Sequence, residues 1–472
     1  MTPKVDPFVE DVDFVFSECA RFMTMVAGGL KNVPRDDLWC MMPLPAPKGG
    51  QMICGRAARE RLNGLAEEAL RRRGLSGRSA TKTARKPLEE LLVQRFLRDG
   101  KPVDQKEVNR VLTAAGKAAS ALCADRTHFI ACHLMIRQEP DELQVGPVIF
   151  RTRRSFAARI GPEVRAFRPQ GNASDYRGGR RKALLEVLSY YKAFKWVAEV
   201  TVPNSDAELS EALALRTATS ALNCLHLILG ASGTTKMEVG GPALRRDHRG
   251  GMTISGGQMS LTASLGGKGQ VGFPEGWSAA WDRDDFRELR SLCALAMDTE
   301  LNPSIRRPIS RRFLDAAHWF GEAVREKSSA TKIIKYVTAL ECMVMTDETD
   351  DTTRLLCERI AVLCFDPSIR GDRATWHERA RVAYGLRSGI VHGSISPTDT
   401  RAMRGLRDCS QLAEATLRSA IQTLGEEALL ADQASNNKLD LWFQNQIQIA
   451  EALEAQRFPP ESVARPSTDV AD

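Results

Sequence analysis

The spacing of apolar residues changes character about two thirds of the way along the chain. From about residue 304 it is helical throughout. "SRRFLDAAHWFGEAVRE" predicts one helix. "ATKIIKYVTALECMVM" predicts a second, with Ile333, Val337, Leu340 and Val344 on one stripe. "TRLLCERIAVLCF" predicts a third, ended by Asp366 and Pro367. "RATWHERARVAYGLRSGIVH" predicts a fourth, with Gly393 placed as its left-handed stop. Ser396, Pro397 and Asp399 read as N-cap, first proline and first-turn acid of a fifth helix that runs to about Leu424. "KLDLWFQNQIQIAEALEAQRF" is a last helix before a Pro/Ser-rich tail of disordered composition. Short connections between amphipathic helices imply antiparallel neighbours, hence a bundle.

Upstream the pattern is different. Residues 1–122 read as mainly helical: "GRAARERLNGLAEEALRRRG" stops at Gly74, "SGRSATKTARK" reads as a polar basic linker, and "PLEELLVQRFLRDG" restarts a helix with Pro87 near its first turn. Residues 123–300 are mixed. "HFIACHLMI", "VGPVIF", "WVAEVTV" and "MTISGGQMSLTASL" are short β-rich runs, whereas "KALLEVLSYYKAF" and "DAELSEALALRTATSALNCLHLIL" are helices. The expected class is α+β, a mixed α/β N-terminal region followed by an all-α antiparallel bundle. Its segments are a basic, mainly helical region (1–122), a mixed α/β domain (123–300), the bundle (301–430), and a last helix with its tail (431–472).

Composition fits a soluble globular protein, with 43% hydrophobic and 26% charged residues, and 472 residues suggest two to four domains. No apolar run is expected to reach the length that spans a bilayer. Asp6, Glu10, Asp11 and Asp13 argue against a secretory or mitochondrial leader. Eleven scattered cysteines with no C-x-x-C pair read as reduced thiols in a cytoplasm. The net charge of +7 is concentrated: residues 56–86 hold ten Arg/Lys against three Glu. Arg71, Arg72, Arg73, Arg78, Lys82, Arg85 and Lys86 from this stretch are candidates for holding a nucleic-acid backbone, the alternative being a solvated helix face and basic loop. Smaller basic clusters lie at Arg151, Arg153 and Arg154, and from Arg177 to Lys182.

Most site classes fall away. "GASGTTK" lacks the full phosphate-loop spacing, and the glycines from 240 to 268 have no strand–turn–helix context, so they read as turns. His128 and His133 would face opposite sides of a strand, so with Cys123 and Cys132 they make a weak metal cluster and read as packing residues. No metal or other cofactor is expected. Arg387 and His392 are five residues apart, but Arg126/His133, Arg312/His318 and Arg370/His377 fit the same loose spacing, which alone is uninformative.

The surroundings add more. Arg359 stands in the row of Leu355, Leu356, Val362 and Leu363, where a helix should be apolar, and Glu341 is the expected counter-ion, the alternative being a side chain that snorkels to solvent. With these in place, "YVTALECMVM…TRLLCERIAVLCF…AYGLRSGIVHGS" resembles the HEPN superfamily, and within it the ApeA-like HEPN domain of bacterial defence proteins. The match covers about residues 305–425.

The resemblance implies a metal-independent ribonuclease whose catalytic residues are Arg387 and His392, with a site formed across a homodimer. Ser388 would donate to phosphate, Tyr384 would orient Arg387 or stack on a base, and Glu341 and Arg359 would support the site. RNA carries its own nucleophile in the 2′-hydroxyl, so the protein supplies a base, an acid and charge stabilisation. Histidine titrates near neutrality, and a helix C-terminus favours a cation, which suits a general acid. On a regular helix five residues put two side chains about 140° apart. Arg387 must therefore reach round the helix, Gly389 must loosen the turn, or a two-fold axis must bring in a second His392. The resemblance further implies a role in antiphage defence or abortive infection, with a phage-derived trigger; from the lack of a long apolar run, no membrane partner is expected. The alternative is a non-catalytic module that binds nucleic acid or nucleotide, or a dimerisation scaffold.

Overall fold

The computed structural model describes residues 6–29, 31, 33–167, 174–241, 246–255, 258–267, 271–346, 351–433 and 435–458. The side chain of Arg177 lies outside this set, as do residues 459–472, where the composition predicts a disordered tail. The protein is α+β, as the pattern predicts, with a substantial helical C-terminal region. The chain forms two compact units, residues 1–128 with 201–214, and residues 129–200 with 215–472.

The first unit is built from α1 (Pro7–Ala27), a single turn α2 (Arg35–Leu38), and a hairpin of β1 (Met42–Pro45) and β2 (Gln51–Cys54) that the sequence pattern does not reveal. Then come α3 (Arg56–Arg72), α4 (Thr81–Leu92), a π-helical turn at Val93–Arg98, and α5 (Gln105–Ser120). One core joins them through Val15, Leu62, Leu65, Leu88 and Leu112, all almost fully buried. Gly74 ends the first basic helix at φ +69°, as predicted.

The expected linker is a correction. Thr81 to Lys86 are the first six residues of α4, and Pro87 sits inside the helix rather than near its start. The cause is a carboxylate 126 residues away: Asp206 accepts from Ala80 N (2.6 Å), Ser79 Oγ (2.9 Å) and Thr83 Oγ1 (2.7 Å). A helix N-terminus leaves backbone donors open, and this carboxylate satisfies one of them, Ala80 N–H, ties down two flanking hydroxyls and complements the helix dipole. Burial pushes the Asp206 carboxyl up, but these bonds and one from Leu209 N outweigh it and hold it below its ordinary value.

The following elements are β3 (Ala124–His133), β4 (Glu142–Val145), β5 (Val148–Thr152), α6 (Arg153–Phe167), α7 (Ser174–Lys192), β6 (Trp196–Ser205), α8 (Ala207–Leu229), a single turn α9 (Ala231–Thr234) and β7 (Glu238–Val239). The five strands form one sheet in the order β4-β5-β6-β3-β7. A separate hairpin pairs β8 (Arg246–Ser255) with β9 (Gln258–Gly267). Contrary to expectation, α8 is long and apolar enough to cross a membrane. However, 67% of its most apolar stretch is buried inside the protein, as in a core helix.

After α10 (Trp277–Trp281) and α11 (Asp284–Leu301) come α12 (Pro308–Arg325), α13 (Ser329–Val344), α14 (Thr352–Cys364), α15 (Asp372–Val391), α16 (Thr400–Glu426) and α17 (Asn436–Arg457). Consecutive pairs α12/α13 and α14/α15 pack side by side across short connections, which only antiparallel neighbours can do. The predicted stripe Ile333, Val337, Leu340 and Val344 is buried to within 1%. One boundary moves. The N-cap of α16 is Asp399, which accepts from Arg401 N at 2.8 Å, while Ser396 closes a turn with Thr398. Asp399 offers a better capping acceptor three residues further on, and α16 runs to Glu426 rather than Leu424.

Candidate active site

The C-terminal end of α15 is regular to its last residue. His392 N–H donates to Ser388 O (2.9 Å) and Gly393 N–H to Ile390 O (3.3 Å), and Gly393 takes φ +77°, the predicted left-handed stop. Gly389 does not loosen the turn. Its carbonyl accepts from Ile395 N at 2.9 Å, and a Cβ on it would lie 2.6 Å from Ile395 Cδ1. The glycine is needed so that the outgoing chain can fold back against the helix, with Ile395 buried on it.

His392 caps this end exposed to solvent, and its ring makes no hydrogen bond or ion pair among the described residues. Arg387 lies on the preceding turn and is half-buried. Its guanidinium is under-satisfied. One Nη donates to Glu341 Oε2 over a long 3.4 Å, the Nε–H is buried without a partner among the described residues, and the cation stands 5.8 Å from the Tyr384 ring centre. Burial pushes the Glu341 carboxyl up, and Arg387 opposes that shift. Ser388 is half-buried beside them with its hydroxyl unengaged among the described residues. Glu341, Tyr384, Arg387 and Ser388 are therefore gathered at one place. Within one chain, no hydrogen bond links His392 to Arg387 among the described residues.

The expected Glu341–Arg359 pair does not form. Arg359 is buried as predicted (6% exposed), but it donates to Asp440 Oδ1 on α17 (2.6 Å) and to Val344 O (2.6 Å), and lies 5.0 Å from the Phe443 ring centre. Thr346 Oγ1 also donates to Asp440, at 2.6 Å. Asp440 is 81 residues beyond Arg359, on a helix assigned in sequence to a separate C-terminal segment, so only the fold brings it near. Arg359 does not snorkel to solvent, and among the described residues its hydrogen bonds go to Asp440 and Val344 rather than to Glu341 or Arg387. Glu341 is left for Arg387.

The other Arg/His spacings are accounted for structurally. Arg126 donates to Ser205 O and Leu122 O, Arg312 to Cys342 O and Met345 O, and Arg370 lies over the Phe458 ring. His128 bonds Ser210 Oγ at 3.0 Å, and buried His133 packs on Phe194. Among the described residues no group of His, Cys, Asp and Glu is arranged to hold a metal ion.

The basic stretch is less free than its charge suggests. Arg71 and Arg72 both bond Glu68, Arg85 bonds Asn63 Oδ1 (2.9 Å) and pairs with Glu89, and Lys82 lies 3.8 Å from Glu208. Arg78 is half-buried and engaged. Arg73 and Lys86 are exposed, with no side-chain partner among the described residues.

One polar cluster gives no signal in the sequence. Buried His226 bonds Thr234 Oγ1 through Nδ1 (2.9 Å) and Arg325 through Nε2 (3.0 Å), and Arg325 also reaches Asn223. Burial, and then the Arg325 charge, push this imidazole well below its ordinary value, so it is neutral and accepts the Arg325 donor. Its members come from α8, α9 and α12, which no local spacing connects. Comparison with protein-family models, with curated proteins and with solved structures finds no match to this chain.

Proposed function

We propose that this chain is a metal-independent RNA endonuclease of the HEPN type, acting as a homodimer in the cytoplasm. What supports the reading is the end of α15, where an under-satisfied guanidinium stands one turn before an exposed, unpartnered imidazole. Arg359 in the same bundle spends donors on a carbonyl and a carboxylate. Arg312 also leaves its Nε–H without a partner among the described residues, but its terminal nitrogens donate to Cys342 O, Met345 O and Asn436 Oδ1. Arg387 keeps donors to spare.

In the proposed reaction the RNA 2′-oxygen attacks the adjacent phosphorus as a base removes its proton. The P–O2′ bond forms and the P–O5′ bond breaks. An acid protonates the departing 5′-oxygen, leaving a 2′,3′-cyclic phosphate and a 5′-hydroxyl. Arg387 neutralises the charge that builds on the phosphorane oxygens, and Ser388 donates to one of them. Glu341 keeps the guanidinium oriented. His392 supplies one proton-transfer group, and a two-fold axis supplies the second from His392 of the partner subunit. Arg73 and Lys86 hold RNA backbone, and a phage-derived trigger releases the activity in abortive infection.

A second reading has one observation in its favour: Arg387 already faces a carboxylate, as a purely structural arginine would. In that case the bundle is a dimerisation scaffold or a nucleic-acid- or nucleotide-binding module. Subunit mixing separates the two. Wild-type chains at fraction f are exchanged with His392→Ala chains, and RNA cleavage is followed by fluorescence. A shared site predicts activity falling as f², a complete site per chain predicts f, and a scaffold predicts no activity to titrate.

A further inference from the structure

On another face of the second unit, α13, α16 and the α9 turn enclose an open cleft of about 720 Å³, within the about 300–1,000 Å³ of small-molecule sites. It is distinct from the Arg387 site. Lys332, which lines the cleft, precedes Glu341 by nine residues, or about two and a half helical turns, and so lies on the opposite side of α13. From α16 come Arg407, Glu414 and Arg418, whose spacing puts them on one face.

Half of this wall is fixed by its own bonds. Arg418 donates to Leu227 O (2.8 Å) and Ile228 O (3.0 Å), satisfying the end of α8, and pairs with Glu414 (3.2 Å). The other Glu414 oxygen accepts from Ala231 N at 2.9 Å. The single lining carboxylate is therefore spent. Lys332 and Arg407 are not. Neither makes a side-chain hydrogen bond or ion pair among the described residues, although Lys332 is half-buried. Glu326, whose charge acts on Lys332, is already bonded to Lys335 Nζ (2.9 Å) and to the Lys327 and Ser328 amides.

Three cations against one carboxylate leave a surplus of two positive charges on the lining, and Lys332 and Arg407 meet no side-chain acceptor among the described residues. A partly desolvated cation that no acceptor bonds directly is unfavourable, even with the charge of Glu326 acting on Lys332, and an anion entering the cleft lowers that penalty. Met403 and Leu406 give the same cleft an apolar wall.

We propose that this cleft binds a small phosphorylated metabolite, with its phosphate between Lys332 and Arg407 and its less polar part against Met403 and Leu406.

The test is calorimetric titration of the full chain with inorganic phosphate, AMP and adenosine. AMP and phosphate should bind, and adenosine at least tenfold more weakly than AMP. Lys332→Met with Arg407→Ala should weaken AMP and phosphate tenfold or more while the melting curve stays in place, since neither side chain has a structural partner. Arg407→Glu, on an exposed position, gives a second variant of the same sign. Arg387→Ala should leave both affinities unchanged. The proposal is overturned if neither phosphate probe binds at millimolar concentration, if adenosine binds as well as AMP, or if binding follows Arg387 rather than Lys332 and Arg407.

Discussion

Removing Asp440 should unfold the bundle far more readily than removing Glu341, although a reading of sequence alone ranks them the other way. Among the described residues, Asp440→Ala leaves the buried Arg359 charge facing the Val344 carbonyl and the Phe443 ring. Thr346 loses its acceptor as well. Breaking one side of a buried ion pair costs about 3–5 kcal/mol, and the additional orphaned hydroxyl places this case in the upper half of that range. Glu341→Ala removes a carboxyl that burial already penalises and a single 3.4 Å contact to a half-buried arginine, so its cost should be about 1 kcal/mol or less. Arg359→Met with Asp440→Leu should recover most of the Asp440→Ala loss, because an apolar pair of similar volume replaces the charges. Urea unfolding measures each variant, and hydrogen exchange localises the effect: amide protection should fall in α14 and α17. If Asp440→Ala unfolds with the wild type while Glu341→Ala costs about 3–5 kcal/mol, the assignment of partners is wrong.

Two more expectations concern the first unit. Burial raises the Glu89 carboxyl from 4.5 to about 7, against the pull of Arg85. A raised carboxyl favours the folded state most when protonated, so its contribution is complete below pH 4.5 and disappears as pH rises through about 7. Wild type should therefore lose up to about 3 kcal/mol between pH 5 and 8 from this group. Glu89→Gln should flatten that loss in urea titrations at the two pH values, and an unchanged pH profile would reject the assignment. Charge reversal of Arg73 and Lys86 should weaken RNA binding and reduce its salt dependence. Reversal of Arg71 and Arg72, both tied to Glu68, should instead lower stability; equal loss of binding from both pairs would show that the whole stretch faces RNA.

How much the sequence revealed follows from how local each cause is. The bundle helices, the stripe on α13 and the Gly393 stop rest on apolar periodicity and one backbone preference, and these are visible within a few residues. The start of α4 was hidden because its cap, Asp206, is 126 residues away. The β1–β2 hairpin has strands of only four residues, too short for alternation to show. Arg359 was legible as a buried cation, but its partner was not, since a charged residue on a core stripe announces a need without naming what meets it. Tyr384, Arg387 and Ser388 are near neighbours in sequence, but Glu341, expected to meet Arg359, faces Arg387 instead, while the cleft lined by Lys332 and Arg407 draws on separate helices and leaves no linear trace.

The most direct test of the central claim is to incubate the purified chain with RNA in EDTA and analyse the ends of any fragments. The proposed chemistry predicts cleavage without metal, 2′,3′-cyclic phosphate and 5′-hydroxyl ends, no cutting of DNA, and loss of roughly 10²-fold or more activity in Arg387→Ala and His392→Ala with melting temperatures unchanged. Cleavage that requires added Mg²⁺, or that survives both substitutions, would contradict it.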